Sequence, residues 1–240
     1  MPEPTQDKTN LLRRIGILGD IHCEDERLAA ALEFLRAQQL DLICAVGDIV
    51  DGPGDVNRTI ELLRQDQVIA VRGNHERWLF AGEMRGLPGS NSRFDLRIPG
   101  LAYLSELPTT RHLETVAGRA LLCHGLGVDD MAGVWPLDDN FRLHSNYPLW
   151  QLVNRREFRF VINGHTHQRL VRSFGELTLI NAGTLYRKHS PCFCLTDFAK
   201  EFVQYYDLAP DLEQGRFKIV EAERFNLPPA PDSNHLTIYD

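Results

Sequence analysis

Long apolar runs are missing from this sequence. No stretch approaches the roughly 20 apolar residues that a transmembrane helix requires. Residues 1–14 are polar and mixed in charge, and they lack the apolar segment that defines a signal peptide. The sequence therefore predicts a protein that contacts no membrane and is located in the cytoplasm.

An excess of positive charge is also missing. Lys and Arg number 26 against 33 Asp and Glu, which gives a formal net charge of −7 and a pI near 5.7. Proteins that bind along nucleic acid depend on clustered basic side chains, so extended nucleic-acid binding is not expected. The count leaves out bound cations, which can attract phosphate locally on an acidic protein.

Cysteines are few and odd in number, which argues against a disulfide framework. The five are Cys23, Cys44, Cys123, Cys192 and Cys194. They do not show the even count and regular spacing of small disulfide-rich domains. A reducing compartment is the resulting expectation.

The chain is large enough for one sizeable domain. It has 240 residues, of which 43% are hydrophobic and 25% charged, and these fractions are ordinary for a globular protein. We expect a flexible lead-in over residues 1–13, a catalytic domain over residues 14–208, and a C-terminal extension over residues 209–240. Because the last thirty residues are rich in proline, we expect the extension to wrap the surface of the domain or to be partly flexible.

The first half of the chain repeats one pattern three times. Apolar strands are predicted over residues 15–18, 40–46 and 68–71, and each ends in a glycine followed by polar residues. Amphipathic helices are predicted after the first two strands, and this alternation indicates an α/β fold with parallel strands.

The second half has a different pattern. Residues 101–104 are strand-like, and residues 111–123 form a predicted hairpin. A long irregular stretch, residues 126–147, precedes a short helix at Pro148. A run of mostly antiparallel strands is expected after residue 169. Because long loops in compact domains are commonly functional, residues 126–147 could form a lid, a dimer contact or a specificity element.

Side chains that bind metals follow several of these strands. Because the carboxyl ends of parallel strands share one edge of a sheet, side chains that follow them should converge. Carboxylate, imidazole and carboxamide donors suit Mn, Fe, Zn, Ni or Co. Two aspartates, four histidines and one asparagine suffice for two ions if one carboxylate bridges them. The side chains that follow the strands, one histidine more than that set requires, are Asp20, His22, Asp48, Asn74, His75, His124, His165 and His167.

Five short blocks of this sequence resemble, in order, the signature blocks of the calcineurin-like metallophosphoesterases. A further segment, Ile180-Asn181-Ala182-Gly183-Thr184, resembles the one that closes the site in small bacterial and archaeal members. One block alone is weak evidence, whereas five in order are specific. The five blocks are Gly19-Asp20-Ile21-His22, Gly47-Asp48-Ile49-Val50-Asp51, Gly73-Asn74-His75-Glu76, Cys123-His124-Gly125 and Gly164-His165-Thr166-His167.

The resemblance implies a fold and a role for each residue. The fold would be a four-layer α/β/β/α sandwich of two mixed β-sheets flanked by helices, with the metal site at the C-terminal ends of strands. Asp48 would bridge two divalent ions, and His75 would face the phosphate, oriented by Asp51. The first ion would be held by Asp20, His22 and His167, and the second by Asn74, His124 and His165.

The activity implied is hydrolysis of a phosphate ester by in-line attack of a hydroxide that bridges the two metals. Manganese is the preferred metal, ahead of iron, zinc, nickel and cobalt. The compact size and the His-x-His block favour a phosphodiesterase acting on a small or nucleotide-like substrate, and the chain could be a monomer or a homo-oligomer. The alternatives are a phosphomonoesterase, a dinucleoside polyphosphate hydrolase and a protein-phosphatase-like enzyme. A scaffold without activity is disfavoured because every expected ligand is present.

One block resembles the protein-phosphatase branch and another departs from it. Arg72 before the Gly73 block is typical of that branch and of the dinucleoside tetraphosphatases. In both, Arg-Gly usually follows the aspartate at position 51, whereas this chain has Gly52-Pro53. The departure favours the phosphodiesterase.

Overall fold

Two mixed β-sheets, each with helices on its outer face, form the protein. The structure is a computed structural model that describes residues 11–211 and 216–229. The strands are β1 (Arg14–Leu18), β2 (Leu42–Ala45), β3 (Ile69–Ala70), β4 (Thr110–Thr115), β5 (Gly118–Cys123), β6 (Phe160–Asn163), β7 (Arg169–Phe174), β8 (Leu177–Ala182), β9 (Cys192–Asp197), β10 (Phe202–Asp211) and β11 (Arg216–Asn226). The helices are α1 (Asp25–Arg36), α2 (Val56–Gln65), α3 (Asn74–Ala81), α4 (Ile98–Ser105), α5 (Asn140–Ser145) and α6 (Tyr147–Arg155).

The first sheet has six strands in the order β11-β10-β9-β1-β2-β3. Strands β1, β2 and β3 are parallel, and β9, β10 and β11 complete the sheet by antiparallel pairing. Four of the five residues of β1 are buried, as expected for a strand covered on both faces. The parallel order of the first half is therefore confirmed.

The second sheet has five strands in the order β4-β5-β6-β8-β7. Strands β5, β6 and β8 are parallel at its centre, and β4 and β7 pair antiparallel at its edges. The predicted hairpin is thus the pair β4 and β5. The parallel arrangement brings the carboxyl ends of β5 and β6 to one edge of the sheet, where the histidine blocks follow.

Three apolar clusters separate four layers. One lies between the first sheet and helices α1, α2 and α4, and includes Leu28, Ile60 and Leu104. A second lies between the two sheets, where Ile17 and Phe160 are fully buried. The third packs the second sheet against α5 and α6. This arrangement confirms the predicted α/β/β/α sandwich.

One local prediction was wrong. Residues 101–104 lie in helix α4, because Leu101 and Leu104 follow a helical spacing and Pro99 lies in the first turn of the helix. Strand β11 lies within the expected C-terminal extension and pairs with β10 along its length. Residues 126–147 include helix α5.

The predicted ends of the chain lie largely outside the described residues. The expected flexible lead-in falls mostly on residues 1–10, and the end of the expected extension falls on residues 230–240, both outside the described ranges. Leu12 forms an isolated bridge with Thr115. Over the described part of the chain, no helix has both the length and the apolar character needed to cross a membrane.

Candidate metal centre and active site

All nine residues predicted for the site come together at one edge of the two sheets. Each residue follows one of the parallel strands or lies at the start of the helix after that strand. The fold therefore brings together sequence blocks that are far apart in the chain. The two sheets contribute unequally. Asp20, His22, Asp48, Asp51, Asn74 and His75 come from the first sheet, and His124, His165 and His167 come from the second.

One group of donors surrounds Asp20. Ligand atoms of Asp20, His22, Asp48 and His167 all lie within 4.8 Å of one another. The Nε2 atoms of His22 and His167 are 3.0 Å apart, so two imidazoles point at the same space. Asp20 and His22 are buried at 0% and 4% exposure. Such a set of carboxylates and imidazoles is suited to a divalent cation.

A second group surrounds Asn74. The Oδ1 atom of Asn74 lies 2.9 Å from His124 Nε2 and 3.1 Å from His165 Nδ1. The Oδ2 atom of Asp48 is 3.3 Å from His124 Nε2 and 3.9 Å from His22 Nε2. The Asp48 carboxylate therefore lies between the two groups, where one carboxylate could serve two ions.

Backbone carbonyls fix the orientation of two of these imidazoles. His22 Nδ1 lies 2.9 Å from the carbonyl oxygen of Asp51, and His124 Nδ1 lies 2.8 Å from that of Val46. A carbonyl only accepts, so each Nδ1 carries a proton and each Nε2 is directed at the site, where in the neutral imidazole that nitrogen has a lone pair. This is the tautomer that a metal ligand needs, so the donor set fits two divalent cations.

The backbone is strained at several of these residues. His22, Asp48, His165 and His167 have φ of 48°, 47°, 66° and 58°, in a region that residues other than glycine seldom adopt. Asp51 also has a positive φ, of 63°. Such conformations persist only where the surrounding structure enforces them, and they concentrate at functional sites.

Burial and mutual charge alter the pKa values of the cluster. Burial raises the pKa of Asp20 to about 7. For His124, burial acts to lower the pKa, but the nearby carboxylates of Asp48 and Asp20 outweigh it and raise the pKa to about 10. Burial and the neighbouring His22 lower the pKa of His167 to about 3. Packing these groups out of water is costly, and bound cations would offset that cost.

His75 is close to the donors but is bonded differently. Its Nδ1 lies 2.8 Å from Asp51 Oδ2, and its Nε2 lies 3.9 Å from Asp48 Oδ2. Its ring packs against Trp78, with centroids 4.8 Å apart. Burial acts to lower the pKa of His75, but the hydrogen bond to Asp51 and the charge of Asp48 outweigh it and raise the pKa. The imidazole can therefore hold a proton at Nε2 beside the donors.

The sequence interpretation gave Glu76 no role, although its side chain fixes the Asp48 loop. The carboxylate is fully buried. It accepts hydrogen bonds from the N–H groups of Asp48 at 3.0 Å, Ile49 at 2.7 Å, Val50 at 3.0 Å and Gly73 at 2.8 Å. A glutamate three positions after the residue that precedes a helix, here Gly73, is a capping signal, and that signal was available in the sequence.

The sequence interpretation also missed two partners of Asp51. Arg85 donates to both of its carboxylate oxygens, and the N–H of Asn91 donates to Oδ1 at 2.7 Å. Both lie in the segment after α3, far from Asp51 in the chain, and no local pattern marks them.

The predicted closing segment lies beside the histidine loop. Asn181 Nδ2 donates to the carbonyl of Gly164 at 2.6 Å, and Thr184 Oγ1 donates to the carbonyl of Asp20 at 2.8 Å. An open cavity of about 510 Å³ adjoins His167. It offers polar side chains to a bound molecule, among them Thr166, Gln168, Arg169, His189 and Ser190.

Comparison with known proteins identifies the family. Residues 14–201 match the model of the calcineurin-like phosphoesterase superfamily domain. The chain belongs to this superfamily. The predicted resemblance is thereby confirmed, and the protein is a metallophosphoesterase, a hydrolase of phosphate esters.

Relatives of this phosphoesterase differ in how informative they are. It is 38% identical over 204 residues to serine/threonine-protein phosphatase 1 of Salmonella typhimurium, covering 81% of this chain and 86% of the relative. Among solved structures, a hypothetical protein of Pyrococcus horikoshii superposes with a TM-score of 0.62 at 17% identity and 88% coverage of each chain. A metallophosphoesterase of Sphaerobacter thermophilus gives 0.60 at 21% identity, covering 85% of this chain and 91% of that one. The structural likenesses show the shared fold alone.

Proposed function

We propose that this phosphoesterase hydrolyses phosphate monoesters at a centre of two divalent cations. The position of Asp48 is the observation that carries the proposal. Its Oδ2 lies 3.3 Å from His124 Nε2 in one donor group and 3.9 Å from His22 Nε2 in the other. In the proposal Asp48 would be shared by two ions. One would also be held by Asp20, His22 and His167, and the other by Asn74, His124 and His165.

The chain's own groups have distinct parts in the proposed reaction. Two bound divalent ions would supply Lewis acidity, which activates water and neutralises charge on the phosphoryl oxygens. His75 Nε2 faces the same space and would donate a proton to the departing oxygen or a hydrogen bond to the phosphoryl group. Asp51 accepts a hydrogen bond from Nδ1 of His75 and so fixes the direction in which Nε2 points.

Similarity to a named relative supports the monoester class. The relative that is 38% identical over most of this chain is named a serine/threonine-protein phosphatase, and such enzymes act on phosphate monoesters. Arg72 before the Gly73 block also resembles the protein-phosphatase branch. The phosphodiesterase predicted from the sequence is the second candidate. It is favoured by Gly52, which stands where the protein-phosphatase branch usually has an arginine after the aspartate. A Cβ at this position would lie 1.6 Å from the carbonyl oxygen of His22, so an arginine does not fit here.

A substrate panel separates the two candidates. Metal-replete protein is assayed with p-nitrophenyl phosphate, a phosphoserine peptide, bis-p-nitrophenyl phosphate, a cyclic nucleotide and a dinucleoside tetraphosphate. Each substrate is tested with Mn, Fe, Zn, Ni and Co. We expect kcat/KM to be higher for the monoesters than for the diesters, with manganese giving the highest rate. A higher value for the bis-aryl ester or the cyclic nucleotide would favour the phosphodiesterase.

The panel also tests the remaining expectations. A metal-loaded protein that turns over none of the substrates would support a scaffold without activity. Preference for a nucleotide would support the predicted nucleotide-like substrate. Oligomeric state, manganese as the native metal and cytoplasmic location stay predictions. All five cysteines are free.

A further inference from the structure

The Asp51 carboxylate is saturated with hydrogen-bond donors. Its side chain is 2% exposed. Oδ2 accepts from His75 Nδ1 at 2.8 Å and from Arg85 Nη2 at 2.8 Å. Oδ1 accepts from Arg85 Nη1 at 2.8 Å and from the N–H of Asn91 at 2.7 Å. Arg85 thus binds Asp51 through both of its terminal nitrogens, the strongest arrangement of a guanidinium on a carboxylate.

The arginine that pairs with Asp51 cannot come from the adjoining position in the chain. A Cβ at Gly52 would lie 1.6 Å from the carbonyl oxygen of His22, so no side chain fits there. The cation comes instead from the segment after α3, 34 residues further along the chain. That segment is anchored to the same loop by Asn91, whose Oδ1 accepts from the N–H of Asp51 at 2.8 Å.

The guanidinium of Arg85 is fully engaged where it lies. Besides the two bonds to Asp51, Nε donates to the carbonyl of Glu83 at 2.6 Å and Nη1 donates to the carbonyl of Asn91 at 2.7 Å. Its side chain is 22% exposed. An arginine held at all three nitrogens is placed to fix another group rather than to reach out for a ligand.

We propose that Arg85 is a positioning residue for phosphoester hydrolysis, acting on His75 through Asp51. By binding both oxygens of Asp51, Arg85 prevents rotation of the carboxylate and keeps Oδ2 aimed at His75 Nδ1. The inference rests on the proposed role of His75 and adds a third member to the His75–Asp51 pair.

A double-mutant cycle tests this chain of action. The variants are Arg85→Ala, His75→Ala and the double variant, assayed with manganese on phenyl phosphate and p-nitrophenyl phosphate. Because Arg85 acts through His75, Arg85→Ala should lower kcat by about 10–100-fold in the wild-type background, the usual effect of removing an outer hydrogen-bond partner. It should change kcat less than about 2-fold in the His75→Ala background, since coupled residues are non-additive.

The dependence of kcat on the leaving group distinguishes a positioning role of Arg85 from a purely structural one. Phenolate leaves less readily than p-nitrophenolate and depends more on a positioned acid. The loss in Arg85→Ala should therefore be larger for phenyl phosphate, and KM should change less than kcat. Arg85→Lys keeps the charge but not the two-pronged contact, so its kcat should be intermediate. Arg97→Ala, which removes an exposed arginine beyond the same segment, should match the wild type.

The outcomes separate this inference from the proposed function. Equal losses from Arg85→Ala in both backgrounds, or no loss in either, would overturn the role of Arg85. No loss of rate in His75→Ala itself would overturn the proposed function instead. Metal content and Tm are measured for every variant. If Arg85→Ala loses metal or unfolds, the same cycle with Arg85→Lys decides, and equal losses there would again overturn the inference.

Discussion

Asp48 and His75 are neighbours with different proposed roles, and single substitutions can separate them. Asp48 Oδ2 lies 3.9 Å from His75 Nε2, yet Asp48 lies between the two donor groups while His75 is bonded to Asp51. Removing the first should affect metal binding, and removing the second should affect rate alone.

Replacing Asp48, the carboxylate proposed to be shared, should lower the number of metal ions bound per chain. Asp48→Asn keeps the size of the side chain but removes the negative charge that two cations would share. We expect the variant to bind at most one ion per chain and to lose nearly all activity, as measured by elemental analysis beside kcat. Retention of two ions with full activity would contradict the bridging role. Asp139→Asn, in the cap of α5, is the matched control and should behave as the wild type.

Replacing His75, the proposed acid, should lower kcat without lowering the metal content. His75→Asn removes the imidazole that Asp51 orients, so kcat should fall by about 10²–10⁴-fold, the usual contribution of a positioned acid or base. Metal content should stay at two ions per chain, because His75 is outside both proposed ligand groups. A parallel fall in bound metal and rate would show that His75 is a ligand. His112→Asn, at an exposed position of strand β4, is the control and should leave metal content and kcat unchanged.

The sequence was sufficient to predict which candidate site residues come together, but it did not reveal the residues that hold them in place. The nine predicted side chains converge because glycine-ended strands share a sheet edge, which is a general rule. Glu76 had a local capping signal, but its acceptance of three further N–H groups depends on how the Asp48 loop folds back. Arg85 reaches Asp51 across 34 residues, and no periodicity encodes that contact.

At the scale of elements, the start of α3 supports the loop that carries Asp48. The buried carboxylate of Glu76 accepts four backbone N–H groups, three of them from the Asp48 loop. The strained φ of 47° at Asp48 is thus supported by a side chain one helical turn into α3. Strain of this kind needs such compensation.

Removing this support should destabilise the protein. Glu76→Ala leaves four buried N–H groups without a partner, so we expect the free energy of unfolding to fall by about 3–5 kcal/mol in urea titrations. Glu83→Ala is the matched control, since its side chain is 60% exposed. It should change the free energy of unfolding by less than about 0.5 kcal/mol. An equally small change for Glu76→Ala would contradict the supporting role.

The incorrect element prediction has a physical cause. Residues 101–104 are a short apolar run, and such a run does not distinguish a buried helix from a strand. Strand β11, within the expected C-terminal extension, pairs with β10. Pro210 lies in β10 beyond the residues that pair with β9, where proline is tolerated.

At the scale of the molecule, the site lies where the two sheets meet. Proposed ligands of each ion come from both sheets, so bound cations would tie the sheets together at this edge. The shared apolar core, with Ile17 and Phe160 fully buried, holds the sheets elsewhere. The parallel strands of the first half were predictable from strand and helix alternation and the four layers from the family resemblance, whereas the order of β9, β10 and β11 was not.

Metal removal should therefore lower the thermal stability of the whole fold. A ligand at about 100 times its Kd stabilises the native state by about 2.7 kcal/mol, which corresponds to roughly 5–10 °C in Tm for a chain of this size. We expect a rise of that order when manganese is added to chelator-treated protein, measured by calorimetry. Asp48→Asn should show a smaller rise, and an equal rise in both would place the stabilising ions elsewhere.

The most direct test of a two-metal phosphoesterase is a titration of activity against bound metal. Chelator-treated protein is loaded with manganese in steps, and p-nitrophenyl phosphate turnover is plotted against ions per chain measured by elemental analysis. Activity should saturate at two ions per chain and stay low at one. Full turnover with one ion or none, or no turnover of any phosphate ester with two ions bound, would contradict the central claim.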